Sequence, residues 1–246
     1  MVFVQIECPH CKSTDVNKYG LSAVEKQRYL CKSCKRTFHW KYTYKGCEPS
    51  TRSQVYFKAV NGSGTRAIAR ELKISTNTVT SILLSFEESI WNVNYDYLNN
   101  LAGENIEIDI ISGTEAEMDE MWSFVHDKSQ QYWLLWAIDD KTGEPLAFCF
   151  GTREHKNLRD LNKLLEGFNI TTVYVDGNPA YQKLSENCNI VIGKRNTQKI
   201  KRKHLSLRTW CSRLVRKGIR FSKSHKLHAI VVSLVINHWF FNRILA

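Results

Sequence analysis

Ala116-Glu117-Met118-Asp119-Glu120-Met121-Trp122-Ser123-Phe124-Val125 reads as a buried strand with an acid, Asp119, where an apolar residue belongs. An ionised carboxylate inside a sheet is costly unless a partner compensates it, and a divalent cation is the usual partner. A second buried-looking stretch, Thr172-Val173-Tyr174-Val175-Asp176-Gly177, also ends in an acid. Two carboxylates at strand positions of one domain point to a Mg2+ site for phosphoryl chemistry.

Around these two acids the pattern is that of strands and helices in a fixed order. Glu115–His126 and Tyr132–Asp139 read as a strand pair joined across Asp127-Lys128-Ser129-Gln130, and Pro145–Gly151 as a third strand. His155–Phe168 has helical spacing through Leu158, Leu161, Leu164, Leu165 and Phe168. Thr172–Asp176 is the fourth strand, Pro179–Glu186 a helix opened by its proline, and Asn189–Gly193 the fifth strand. From Lys199 onward the chain is helical again. The order βββ-α-β-α-β-α predicts an α/β domain over 107–246 with a ribonuclease-H-like mixed sheet and basic C-terminal helices.

Upstream of it stand two smaller units. Cys8-Pro-His-Cys11 and Cys31-Lys-Ser-Cys34, nineteen residues apart, fit the spacing of a zinc ribbon, expected over 1–45. Two such pairs are better explained by one metal than by redox chemistry, and four thiolates leave no position for water, so the Zn2+ is structural. His10 and His39 are expected at the surface near phosphates, and the aromatic run Phe38–Tyr44 is expected to pack under the ribbon.

Over 46–100 the chain reads as helices. Gln54–Val60, Thr65–Leu72 and Thr76–Leu83 are separated by Asn61-Gly62-Ser63-Gly64 and Lys73-Ile74-Ser75, with Thr65 and Ser75 as caps. Ala69 is small where two helices cross. This is a helix-turn-helix in which Thr76, Asn77, Thr78 and Thr80 open the recognition helix, with Arg66 on the helix before it; a plain helical hairpin is the alternative. Helix through Ser85–Leu101 is weakened by Asn92-Val93-Asn94-Tyr95, and Leu101-Ala102-Gly103-Glu104 reads as a linker.

Composition narrows the partner. The net charge is +11 and the pI about 9.3. No Asp or Glu follows Glu186, whereas Lys and Arg recur to Arg243. One-signed clustering of this length favours a DNA phosphate backbone over a merely solvated face. Cys47, Cys149, Cys188 and Cys211 are scattered and read as small apolar residues. The late apolar run Ala229–Ile236 is too short to span a bilayer, so no membrane is expected and a reducing cytoplasmic setting is.

With these pieces in place, the chain resembles the transposases of the insertion-sequence-one family. The motifs that carry the resemblance are the four-Cys ribbon, the helix-turn-helix, Glu117–Trp122, Val175-Asp176-Gly177, Lys194-Arg195-Asn196-Thr197-Gln198 and Leu205-Ser206-Leu207-Arg208. It implies a DDE-type enzyme that binds double-stranded DNA at element ends and target as a homo-oligomer. Mg2+ held by two Asp and one Glu would drive strand cleavage and joining. Asp119 and Asp176 match the two Asp. The third carboxylate belongs in the run Thr-Gln-x-Ile-Glu-Arg, and here Thr197-Gln198-Lys199-Ile200-Lys201-Arg202 puts Lys201 in its place. Arg208 stands where the family carries a basic residue, which supports that alignment. Lysine cannot ligate a cation; His204, one turn on, offers a nitrogen, though imidazole suits Mg2+ poorly. Arg202 is expected on DNA. The alternative is an impaired copy that acts as a DNA-binding regulator.

Overall fold

The computed structural model describes residues 5–23, 25–40, 44–104, 114–152, 155–178, 181, 188–215 and 217–245. Strands β1 (Val16–Leu21), β2 (Gln27–Cys31) and β3 (Thr37–His39) make a three-stranded antiparallel sheet in chain order. Its interior is Phe38 and the buried thiols Cys8 and Cys31, with Ile6, Val16 and Tyr29 against them. So small an apolar core does not hold a sheet without a cross-link. Phe38 does pack inward, stacked on Tyr29 at 5.8 Å, whereas Trp40 and Tyr44 are exposed. The middle of that aromatic run, 41–43, lies outside the described residues.

Helix α1 (Pro49–Val60) starts earlier than Gln54, because Pro49 stands at its N-terminal end, where a missing N–H costs nothing. Helices α2 (Thr65–Leu72) and α3 (Thr76–Leu84) follow, with Lys73 in the left-handed conformation between them. Ser75 caps α3, its hydroxyl accepting from the Thr78 N–H at 3.0 Å. Thr65 does not cap α2. Gly64 holds that position without a side-chain bond, and Thr65 is already helical.

The second sheet has five strands: β4 (Thr114–Val125), β5 (Asp127–Asp139), β6 (Pro145–Gly151), β7 (Ile170–Val175) and β8 (Asn189–Ile192). Their spatial order is β6-β5-β4-β7-β8. The first three form an antiparallel meander, and β7 and β8 run parallel to β4. The first hairpin is tighter than the sequence suggests. Asp127–Gln130 belongs to β5, and the reversal is made at His126, whose φ is 68°. The helix expected over Pro179–Glu186 lies outside the described residues, Tyr181 excepted.

Helix α5 (His155–Leu165) covers one face of this sheet; α6 (Gln198–Trp210) and α7 (His225–Trp239) cover the other. Strand alternation divides the side chains between them. Met118, Leu135 and Ala137 pack with Leu158, Leu161 and Leu165. Met121, Leu134, Trp136 and Ile138 pack with Ile200, Leu207, Val232 and Val235. The sheet edge at β6 is covered by the segment after α3, with the Asn94 N–H donating to Leu146 O at 2.8 Å and the Phe148 N–H to Asn92 O at 2.9 Å. That pairing is what interrupts the helix. A new one, α4 (Tyr95–Glu104), begins under the side chain of Asn94, which accepts from the Tyr97 N–H. Residues 101–104, read as a linker, are the end of α4.

The apolar run in α7 is buried on both sides. Val232, Val235 and Ile236 face the sheet, while Ile230, Val231 and Leu234 join Val55, Tyr56, Ile68, Val79 and Leu83 of α1–α3. Among the described residues no helix is long and apolar enough to cross a membrane.

Candidate active site

Asp119 and Asp176 meet because of strand register. In the parallel pair β4–β7, Glu117 lies opposite Tyr174. Two residues further along each chain stand Asp119 and Asp176, on the face that bears α6. Asp119 is 8% exposed. Burial above all pushes its carboxyl up to about 6, and the charges of Asp176 and Glu120 push the same way. Opposing them are the Glu120 N–H, which donates to Asp119 Oδ1 at 2.8 Å, and the charge of Lys201. Asp176 is half-buried just past β7, and its Oδ1 accepts from the Asn178 N–H at 3.1 Å. The Asn178 side-chain amide donates to Glu120 Oε1 at 3.0 Å, which ties the Asp176 loop back to β4. Tyr181 is buried beside this cluster. Burial first, then the charges of Glu120, Asp119 and Asp176, raise its phenol well above the ordinary range. The acids therefore form one concentrated negative site.

Helix α6 is pinned over them by a bond no motif announced. Glu117 Oε2 accepts the Ile200 N–H at 2.9 Å, satisfying one of the orphan donors in the first helical turn. Burial dominates in raising the Glu117 carboxyl. The helical period then carries Lys201, His204 and Arg208 along the side that adjoins the acids. The Lys201 ammonium donates to Thr197 Oγ1 at 2.7 Å, one turn back, yet its charge still reaches Asp119. His204 is buried, with Nε2 accepting from the Trp136 indole N–H at 2.8 Å and Nδ1 3.8 Å from Asp119 Oδ2. Arg208 is half-buried and Arg202 exposed.

The chemistry of Asp119 and Asp176 fits a divalent cation: two carboxylates crowd one partly dry site, where a positive charge would favour their ionised forms. Lys201 supplies part of that charge, but from an ammonium turned to its own helix.

The second metal position is in the ribbon. The Sγ atoms of Cys8, Cys11, Cys31 and Cys34 all lie within 4.8 Å of one another. Cys8–Cys34 is 3.7 Å and Cys11–Cys31 is 3.5 Å, close to the edge of about 3.8 Å of a tetrahedron with Zn–S arms of about 2.3 Å. The site fits a structural zinc.

On the helix-turn-helix, Arg66, Thr76 and Asn77 are exposed and Thr80 is half-buried. An open hollow of about 380 Å³ lies between α2 and the start of α3, lined by Arg66, Ala69, Arg70, Ile74 and Thr76. Thr78 is engaged within the fold, its hydroxyl 3.0 Å from Tyr44 OH and 2.9 Å from Ser75 Oγ. Sequence reasoning missed Glu117, Trp136 and Asn178. Only Glu117 carried a signal, since it shares the strand face of Asp119.

Comparison with known proteins follows the same division. The model of the IS1 transposase family matches residues 112–242, that of the InsA N-terminal zinc-ribbon domain residues 1–35, and that of the InsA C-terminal helix-turn-helix domain residues 42–85. The insertion element iso-IS1n protein InsB of Shigella dysenteriae is 41% identical over 127 residues, 51% of this chain and 97% of that protein. The IS1 protein InsB of Shigella sonnei is 41% identical over 122 residues, 50% of this chain and 93% of that protein. A solved chain from a simian T-cell lymphotropic virus intasome in complex with PP2A regulatory subunit B56 gamma superposes over 76% of this chain and 69% of that one. Its identity is 14% and the TM-score 0.38, too loose a match to carry an argument.

Proposed function

From the premise that the chain belongs to the IS1 transposase family, we propose that its ribonuclease-H-like domain cleaves and joins DNA strands at Asp119 and Asp176. Family membership favours this enzyme over a DNA-binding regulator. The observation that carries the reading is the β4–β7 register, which sets the two acids side by side under a helix rich in Lys and Arg. Asp119 and Asp176 would hold Mg2+, which when bound supplies Lewis-acid polarisation of a phosphoryl oxygen.

The rest is done by the chain itself. Lys199 is paired with Asp140 and the Lys201 ammonium with Thr197, which leaves the exposed Arg202 as an α6 cation that would meet backbone phosphates. Arg66, Thr76, Asn77 and Thr80 would bind the element ends, with base edges read from the start of α3. A homo-oligomer would hold two ends and a target duplex together. Lys201 replaces the family's third carboxylate, so the site works with two acids and a neighbouring ammonium, which weakens cation binding by electrostatic repulsion.

The test is cleavage and strand transfer on duplexes carrying the element ends, with Mg2+ or Mn2+ at fixed salt. D119N and D176N should each abolish the reaction, and K201E should raise it. Unaltered cleavage by D119N and D176N would overturn the assignment; an active natural chain indifferent to K201E would put the third position elsewhere.

A further inference from the structure

We propose that His204 is a positioning residue for Asp119 and not a ligand of the ion, and that Trp136 assigns it that role. The inference rests on the reading of Asp119 as a metal-binding carboxylate. Three elements build the arrangement. Trp136 on β5 is the direct cross-strand partner of Asp119 on β4. His204 on α6 lies against both, with its ring nearly parallel to the indole, at 9°.

The hydrogen-bond chemistry leaves one arrangement. An indole N–H can only donate. At 2.8 Å from His204 Nε2 it requires a bare lone pair there, so the proton of the neutral ring sits on Nδ1. Nδ1 is the nitrogen that faces Asp119 Oδ2, at 3.8 Å. That distance is longer than a hydrogen bond; the contact is electrostatic, between an N–H dipole and a carboxylate in a buried site, where such fields are strong. Ligation by Nδ1 would need the opposite tautomer, with two N–H groups confronting each other between His204 and Trp136. The carboxylate of Asp119 is thus held from two directions, by the Glu120 N–H on Oδ1 and by the Nδ1–H before Oδ2. Each oxygen keeps a second lone pair for a cation. The device matches the outer partners that orient ligands in metal sites.

The experiment uses the full chain labelled with 15N-histidine. Long-range 1H–15N spectra should place His204 in the Nδ1–H tautomer, its signal assigned by loss in H204N, and W136F should release it to a mixture. In Mn2+ titrations, W136F and H204A should bind about tenfold or more weakly. H204N, whose amide can still donate, should stay near the natural affinity. An Nε2–H tautomer in the natural chain overturns the proposal, as does native Mn2+ affinity in W136F. Should W136F not fold, equal affinity of H204A and H204N has the same force. Failure of the underlying metal reading looks different: the natural chain would bind Mn2+ no better than D119N.

Discussion

Asp119, the proposed cation ligand, is costly to bury as a carboxylate. Its carboxyl titrates near 6 in the folded chain, against an ordinary 3.8, chiefly because it is buried. Below pH 3.8 it is protonated in both states and costs nothing. Between 3.8 and 6 the folded chain keeps a proton that the unfolded chain has lost, so stability falls as pH rises and stays lower above 6. The shift corresponds to about 3 kcal/mol, as an order of magnitude. D119N should therefore melt higher than the natural chain at pH 7.5 in chelator, with the gap closing toward pH 4; thermal melts that differ equally at both pH values would contradict this. Divalent-ion binding should tighten as pH rises through about 6, since only the carboxylate ligates. The out-of-place acid was legible because a strand alternates. Trp136, its cross-strand neighbour, was not, because register between strands is set by the whole sheet.

At the scale of elements, α6 shows how a helix is aimed. Its existence follows from spacing, which predicts helix from Lys199 onward where the fold starts it at Gln198. Its aim follows from Glu117, 83 residues earlier in the chain, whose carboxylate takes the Ile200 N–H. E117A should cost about 1 to 3 kcal/mol in denaturant unfolding by orphaning a buried donor, and E117Q much less, because its amide oxygen still accepts. Equal loss in both would mean that charge, not the bond, anchors the helix. Helix α4 is the converse case. Local spacing gives a helix weakened at residues 92–95 and a linker at residues 101–104, since the pairing of Asn92 and Asn94 with β6 that restarts the helix is a tertiary event.

Across the whole molecule, α7 joins what the sequence separates. One side of it completes the core of the large sheet and the other completes the helix-turn-helix. Arg213 adds a polar tie, its guanidinium donating to Thr65 on α2 and to Ser222 before α7. The DNA-reading helices and the acidic site should therefore unfold together, while the ribbon, with its own small core, should not. Chelation of zinc, or C31S, should abolish amide-exchange protection in β1–β3 and leave α1–α3 and β4–β8 protected. Loss of protection in α1–α3 on chelation would show that the ribbon supports them. V231D should lower protection in α1–α3 and in the sheet at once.

The linear chain determined what depends on neighbours a few residues apart: the thiol pairs of the ribbon, the helix capped by Ser75, the alternating strands, and the two acids embedded in them. The tertiary structure alone decided which side chains face those acids. Trp136, His204, Glu117 and Asn178 come from different elements, and their meeting depends on strand register and helix docking. Those are fixed by burial summed over many contacts, a quantity no local window of residues contains.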